Sequence, residues 1–285
     1  MRIDLHAHSN ASDGTDSPAQ LVTNAYTAGL DVVALTDHDT VAGYAEAFEA
    51  IGTLRGRPFA LVPGIELSCI ADGVSLHLLG YLFDPVNEEL ANEMTLLRTD
   101  RVRRAKSMVE KLVELGAPIS WEQVSRIAGD AAVGRPHVAL ALVEAGVVVD
   151  VPSAFSQECI GNGGRAYVEK YSLAPERAIS LVKAAGGAAV FAHPAASSRG
   201  AIVGDAYIER FAAAGLDGLE VDHPDHSEET RVRLRGLAAD LGLLVTGSSD
   251  YHGFVKSTPL GANTTDVAVF EQLVARTSGA SLVRA

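Results

Sequence analysis

Residues 1–39 read MRIDLHAHSNASDGTDSPAQLVTNAYTAGLDVVALTDHD and contain the pattern that decides the fold. Arg2–Ala7 and Asp31–Thr36 are short apolar runs, which predict two β-strands. Ser17–Ala28 lies between them and predicts a helix that begins with a serine cap and a proline at its first position. A strand, a helix and a second strand form one βα unit, which indicates an α/β fold with helices packed on a sheet.

The same alternation continues through both flanks of the chain. It predicts further strands at Ala60–Ser68, Val74–Leu82, Ala188–Ala192, Gly218–Val221 and Leu243–Gly247. The middle of the chain instead shows helical patterns and turns without a convincing strand. We therefore predict an α/β barrel formed by residues 1–100 and 168–285, interrupted by a helical insertion domain at residues 101–167.

Composition narrows the class of protein. The chain has 285 residues and a formal net charge of -13, a length that suits one barrel with a modest insertion. The acidic charge argues against a stable nucleic-acid partner and against binding to an anionic membrane. Cys69 and Cys159 form no CxxC pair, and no segment approaches the ~18 apolar residues of a membrane span. We expect a cytoplasmic protein.

Imidazole and carboxylate groups are concentrated near predicted strand ends. His6 and His8 flank Ala7, and alternate residues of a strand point the same way. The later members of this set are Asp13, His38, Glu66, His77, His193, Asp250 and His252. A single histidine at a strand end is more often an ordinary structural residue, but six of the nine histidines fall in this set.

The carboxyl ends of parallel barrel strands share one face, so we expect these side chains to meet there. Mixed imidazole and carboxylate donors suit Zn, Mn or Fe, whereas carboxylates alone would favour Mg or Ca. The set is too large for one tetrahedral ion and suits two or three ions that share a bridging carboxylate.

The motifs that contain these residues resemble those of one known family. HAHSNASDGT, LTDHDT, PGIELS, the isolated His77, AHP and SSDYHG resemble, in order, the motifs of the PHP (polymerase and histidinol phosphatase) family. GRPHVALALVEAG resembles the insertion of its small stand-alone nucleotide and RNA 5′-end phosphoesterases. The resemblance implies a distorted seven-stranded, TIM-like (β/α) barrel with a trinuclear metal centre. It also implies hydrolysis of 3′,5′-bisphosphonucleotides such as pAp, or of short RNA from its 5′ end.

The resemblance also implies how the nine residues divide among three ions. The first ion takes His6, His8, Glu66 and Asp250, the second shares Glu66 and takes His77 and His193, and the third takes Asp13, His38 and His252. Asp13, Glu66 and Asp250 are the implied catalytic carboxylates. We expect two or three divalent ions, with Mn favoured and Fe, Zn or Mg as alternatives.

Basic residues and one further histidine are candidates for binding the phosphate groups of the substrate. Arg135 in GRPH is the strongest, because arginine can bind phosphate through two parallel hydrogen bonds, and the resemblance supports it. The others are His137, Lys170, Arg199 and His223. The ordinary alternative for each basic residue is a solvated surface charge.

Three other functions fit the same scaffold. They are a histidinol-phosphate-type or other small-molecule phosphatase, hydrolysis of C–N bonds as in amidohydrolase barrels, and a non-catalytic metal-binding module. The helical insertion argues against the first, because it would serve a larger substrate. No lysine stands out as a carbamylated metal bridge, which argues against the second, and the complete set of nine residues argues against the third.

Overall fold

A computed structural model describes residues 1–129, 133–169, 171, 173–196 and 200–285. The chain separates into two compact units. The barrel unit consists of Met1–Met94 with Ser172–Ala285, and the helical unit consists of Thr95–Tyr171. No helix in the described part of the chain combines the length and the apolar character that crossing a membrane requires.

Seven strands of the barrel unit form one mixed sheet in chain order. They are β1 (Ile3–Asp4), β2 (Val32–Leu35), β3 (Ala60–Ala71), β4 (Val74–Tyr81), β5 (Ala188–Phe191), β6 (Gly218–Asp222) and β7 (Leu244–Gly247). A short eighth strand, β8 (Val283–Arg284), pairs antiparallel with β3. A bridge between Ala7 and Tyr251, which follow β1 and β7, brings the two edges together. The sheet therefore nearly closes, and the predicted α/β barrel is confirmed.

Helices cover the outside of the sheet and fill the helical unit. Those of the barrel unit are α1 (Pro18–Thr27), α2 (Tyr44–Ile51), α7 (Pro175–Ala184), α8 (Asp205–Ala213), α9 (Glu228–Leu241) and α10 (Val267–Ala275). The long helix α3 (Glu88–Glu114) begins in the barrel unit and ends in the helical unit. The helical unit also contains α4 (Trp121–Ala128), α5 (Arg135–Glu144) and α6 (Val151–Ala154).

The start of α1 shows how the sequence specifies a helix boundary. The Ser17 hydroxyl accepts a hydrogen bond from the Gln20 N–H, and the Gln20 side chain accepts one from the Ser17 N–H. This reciprocal pair satisfies two backbone donors that the helix leaves unpaired. Pro18 follows at the first helical position, where its missing N–H costs nothing. The helix begins where the sequence predicted.

The direction of β4 explains the isolated His77. Strands β1, β2 and β3 pair in parallel, and so do β5, β6 and β7. Strand β4 runs antiparallel to both of its neighbours, β3 and β5. A tight turn at Asp72 and Gly73, both with positive φ, reverses the chain between β3 and β4. His77 lies in the first half of β4, opposite Ser68. Because β4 runs antiparallel to β3, the beginning of β4 lies beside the carboxyl end of β3.

The barrel interior is apolar except where buried polar atoms find partners. Ile3, Leu5, Val62 and Val190 belong to its core and are fully buried. The Tyr81 hydroxyl, also fully buried, donates a hydrogen bond to the Leu5 carbonyl at 2.8 Å. This bond connects β4 with the chain just after β1, across the interior.

Replacing Tyr81 with Phe is expected to lower the free energy of unfolding by about 1–2 kcal/mol, because the Leu5 carbonyl loses a buried donor. Urea unfolding followed by circular dichroism measures this change. Tyr26→Phe is the control, since the Tyr26 hydroxyl also donates to a carbonyl, that of Arg55, but at an exposed position. Equal stability losses in the two variants would contradict the buried role of Tyr81.

Candidate metal centre

The nine residues of the predicted set lie together at one end of the barrel unit. The most buried group consists of His6, His8, Glu66 and Asp250. The Nε2 atoms of His6 and His8 are 3.0 Å apart, and each lies 3.0 Å from Glu66 Oε2. Asp250 Oδ1 completes the group at 3.4 Å from His6 Nε2 and 3.5 Å from His8 Nε2.

The second oxygen of Glu66 faces two other imidazoles. Glu66 Oε1 lies 2.8 Å from His77 Nδ1 and 3.0 Å from His193 Nε2. His38 approaches from the side of Oε2, with its Nδ1 at 3.4 Å. One buried carboxylate therefore separates two sets of imidazoles, which is the arrangement expected of a bridging ligand.

A third group surrounds Asp13, which is half exposed. Asp13 Oδ1 lies 3.4 Å from His252 Nε2 and 3.5 Å from His8 Nδ1, and Asp13 Oδ2 lies 3.7 Å from His38 Nε2. His8 contributes one ring nitrogen to this group and the other to the group around Glu66. The three groups therefore adjoin one another, so the nine residues form one continuous donor cluster.

The donor atoms fit metal ions. Atoms bound at ~2.1 Å to one ion lie about 3.0–3.4 Å from each other, and the contacts among His6, His8 and Glu66 are 3.0 Å. Two ring nitrogens and one carboxylate oxygen at such mutual distances cannot all be satisfied by hydrogen bonds. In addition, the buried Nδ1 atoms of His38 and His77 lie close to Glu66, but within the described structure they make no hydrogen bond of suitable geometry. Nitrogen and oxygen donors of this kind suit Zn, Mn or Fe.

The buried charges shift the pKa values of the cluster strongly. Burial alone would lower the pKa of His8, but hydrogen bonding to Asp250 and Glu66 outweighs it and raises the pKa to about 9. Burial would raise the pKa of Glu66, yet the surrounding imidazoles hold it well below its usual range. At His38 burial prevails over Glu66 and Asp13 and lowers the pKa to about 3. The carboxylates are therefore held in the charged form that binds cations.

Glu220 of β6 supports two candidate ligands at once. Its Oε1 accepts a hydrogen bond from His6 Nδ1 at 2.9 Å, and its Oε2 accepts one from the His193 backbone N–H at 2.8 Å. The Ser248 hydroxyl also donates to Glu220. The proton on Nδ1 leaves the lone pair of His6 Nε2 directed at the cluster. Sequence reasoning missed Glu220, although an acidic residue between buried apolar residues of the strand GLEVD was a usable signal.

Three more buried carboxylates hold the loops that carry the cluster. Each accepts a hydrogen bond from a serine within two residues of a candidate ligand: Asp37 from Ser9 (2.6 Å) and Ser12 (2.7 Å), Asp39 from Ser68 (2.8 Å), and Asp4 from Ser249 (2.6 Å). These bonds connect different strand ends, since the paired residues are far apart in the sequence. These three carboxylates and Glu220, which we call the polar layer, therefore position the loops that carry the donor cluster.

Backbone strain occurs at two of the candidate ligands. His193 and Asp250 have φ values of 31° and 51°, in the left-handed region that non-glycine residues rarely adopt. Each such residue costs about 1–3 kcal/mol, so the surrounding structure must hold it. The hydrogen bond from the His193 N–H to Glu220 is one such restraint.

The predicted substrate-binding residues are distributed over both units. His223 is buried in the barrel unit; its Nδ1 accepts from the Asp225 N–H, and its Nε2 donates to Asp250 Oδ2 at 3.3 Å. Arg135 and His137 belong to the helical unit. Arg135 donates to Asn162 Oδ1 at 3.0 Å, while His137 Nδ1 accepts from the Gly134 N–H and caps α5. Lys170 and Arg199 lie outside the described residues.

Fold and donor set together define a metal-dependent hydrolase built on an α/β barrel. The PHP domain family matches residues 4–118. The chain is 34% identical over 251 residues to the 5′-3′ exoribonuclease of Haemophilus influenzae, covering 88% of this chain and 90% of that protein. It is 33% identical over 251 residues to the 3′,5′-nucleoside bisphosphate phosphatase of Chromobacterium violaceum, covering 88% and 87%.

A solved structure gives the same result for the fold. A proposed metal-dependent phosphoesterase from Bifidobacterium adolescentis has a TM-score of 0.83 and 38% identity, covering 97% of this chain and 96% of that chain. The chain belongs to the PHP family of metal-dependent phosphoesterases. It is a hydrolase that acts on phosphate esters, which confirms the predicted family, fold and class of reaction.

Glu220→Gln is expected to weaken metal binding by about 10–100-fold, because glutamine restrains His6 less well and lacks the negative charge. Isothermal titration with Mn²⁺ and Zn²⁺ measures the affinity, and elemental analysis gives the metal content. Asp222→Asn serves as the control, since this carboxylate lies on the same strand but pairs with Arg235 instead. Unchanged affinity in Glu220→Gln would contradict the supporting role.

Proposed function

We propose that the protein releases phosphate from 3′,5′-bisphosphonucleotides such as pAp, or nucleotides from the 5′ end of short RNA. The relatives whose names carry these activities align with 88% of the chain, so the similarity extends beyond the barrel unit into the helical unit. The observation that carries the proposal is the Glu66 carboxylate, whose two oxygens each face two or more imidazoles. Such a bridge suits a multinuclear centre for phosphate ester hydrolysis.

Two or three divalent ions are the proposed cofactor, with Mn preferred and Fe, Zn or Mg as alternatives. The proposed ligands are His6, His8, Asp13, His38, Glu66, His77, His193, Asp250 and His252. When bound, the ions supply activation of water and neutralisation of the developing negative charge. The protein itself orients the imidazoles: Glu220 accepts a hydrogen bond from His6 Nδ1, and the Asp250 carbonyl accepts one from His252 Nδ1 at 2.9 Å.

Arg135 of the helical unit is the proposed phosphate-binding arginine. Its guanidinium is half-buried and lies over the Phe155 ring, with 5.4 Å from its central carbon to the ring centroid. A planar guanidinium held in this way can bind two phosphate oxygens in parallel. His137, Lys170, Arg199 and His223 remain further proposals for substrate binding. Residues 1–100 and 168–285 are the proposed barrel domain, residues 101–167 the insertion domain, and the cytoplasm the proposed location.

The substrate proposal predicts release of inorganic phosphate from pAp, and of mononucleotides from a short 5′-phosphorylated RNA, in the presence of Mn²⁺. Malachite green detection measures the first, and separation of the RNA products by chromatography measures the second. Histidinol phosphate is the comparison substrate and is expected to be hydrolysed much more slowly. No product from either nucleotide substrate with Mn²⁺, Zn²⁺, Fe²⁺ or Mg²⁺ would sink the proposal.

The proposed division of roles separates metal ligands from Arg135. His193→Ala and Asp250→Ala are expected to reduce bound metal and to lower kcat at least a hundredfold, because each removes a donor from the cluster. Arg135→Ala is expected to keep its metal and to raise KM or lower kcat by about tenfold or more, the loss expected for hydrogen bonds to a charged group. Elemental analysis and steady-state kinetics test both parts. Equal metal loss in all three variants would break the division.

A further inference from the structure

A cavity of about 410 Å³ opens beside the donor cluster in the barrel unit. Its lining includes His223 and Asp250, together with Lys256, Ser257 and Thr258 of the loop that follows Asp250. Lys256 is the only ammonium or guanidinium group among the described residues that line the cavity. The volume of the cavity exceeds that of a phosphate group, so the cavity can also admit part of the group that is esterified to the phosphate.

Lys256 makes a short contact with a candidate metal ligand. Its Nζ donates to Asp250 Oδ2 at 2.8 Å, and its side chain is 33% exposed. The opposite oxygen, Asp250 Oδ1, faces His6 and His8. Asp250 thus presents one oxygen to the donor cluster and the other to Lys256. A group that binds next to the cluster from the cavity side is therefore within reach of the ammonium.

The ammonium has donors to offer to a ligand. A lysine has three N–H groups, and the bond to Asp250 uses one, which leaves two for a ligand in the cavity. Asp250 Oδ2 also accepts from His223, so the carboxylate is held from two sides. Asp225 also lines the cavity but is exposed, whereas Lys256 is two-thirds covered. A partly desolvated cation beside a hydrolytic centre is suited to an anionic ester.

We propose that Lys256 binds a non-bridging oxygen of the phosphate group that is hydrolysed. The inference rests on the proposed function, and it names the residue that holds the reacting phosphate on the cavity side of Asp250. Because Lys256 contacts the cluster directly, it acts on the reacting phosphate and not on a distant second phosphate. The same loss of binding is therefore expected for a bisphosphonucleotide and for a simple phosphate ester.

The chain offers a closely matched control in Lys183. Its Nζ lies 2.8 Å from Asp217 Oδ2, its side chain is 35% exposed, and its partner is buried like Asp250. Asp217 lies just before β6. Glu220, which contacts the donor cluster, lies later in that strand, and His223 directly follows it. Lys183→Met therefore removes a lysine–aspartate pair of the same length and exposure outside the donor cluster.

The experiment compares Lys256→Met, Lys256→Gln and Lys256→Arg with Lys183→Met in the full-length, metal-loaded protein. KM and kcat are measured for p-nitrophenyl phosphate and for pAp, together with the inhibition constant of inorganic phosphate and the metal content. We expect the Met and Gln variants to raise KM and the inhibition constant by about tenfold or more on both substrates. Their metal content stays at the wild-type value, Lys256→Arg restores most of the binding, and Lys183→Met changes neither constant.

Two results would overturn the inference. One is a KM and an inhibition constant within twofold of wild type in both the Met and the Gln variant. The other is a loss of metal that parallels the loss of binding, which would make Lys256 a support for Asp250 only. If the wild-type protein hydrolyses neither ester, the proposed function fails. Calorimetric titration of inorganic phosphate into the wild-type and Lys256 proteins then still decides the binding role.

Discussion

The carboxylate of Glu66 is the group on which the rest of the site depends. It is fully buried in the barrel unit and lies within 3.4 Å of five imidazoles: His6, His8 and His38 beside Oε2, and His77 and His193 beside Oε1. A buried carboxylate is costly unless charges or hydrogen bonds compensate it. Imidazoles from four different chain segments do so here, and the same arrangement gives cations a set of donors on both sides of one ligand.

The barrel supplies these segments because its strand ends converge, but convergence alone leaves the side chains free to rotate. The polar layer beneath the cluster removes that freedom. Glu220 connects His6 with the backbone of His193, and Asp37 connects the loop after His8 with the loop after β2. The positive φ values of His193 and Asp250 are strain that this layer holds in place. The strained backbone at these two residues lowers the stability of the fold, but it directs their side chains at the donor cluster.

The sequence predicted the parts that follow from local pattern. Alternation along a strand placed His6 and His8 on one side, and the strand ends indicated one shared face. The direction of β4 did not follow from such reasoning. Two adjacent apolar runs can pair in either direction, and only the turn between them indicates which direction they take. Glu220 and Lys256 were missed for another reason, since their roles arise from side-chain contacts. Glu220 contacts His6, 214 residues away, which the closed barrel brings near, and Lys256 contacts Asp250, 6 residues away, through the fold of the loop between them.

Charge balance explains how so acidic a protein can hold a phosphate ester. The chain carries a net charge of -13, and ions in solution screen that charge beyond about 8 Å at physiological salt. Local charge therefore matters more than the total. Two divalent ions would outweigh the three carboxylates of the cluster, Asp13, Glu66 and Asp250, and Lys256 adds a further positive charge on the cavity side. The field at the site then attracts an anion when the ions are bound.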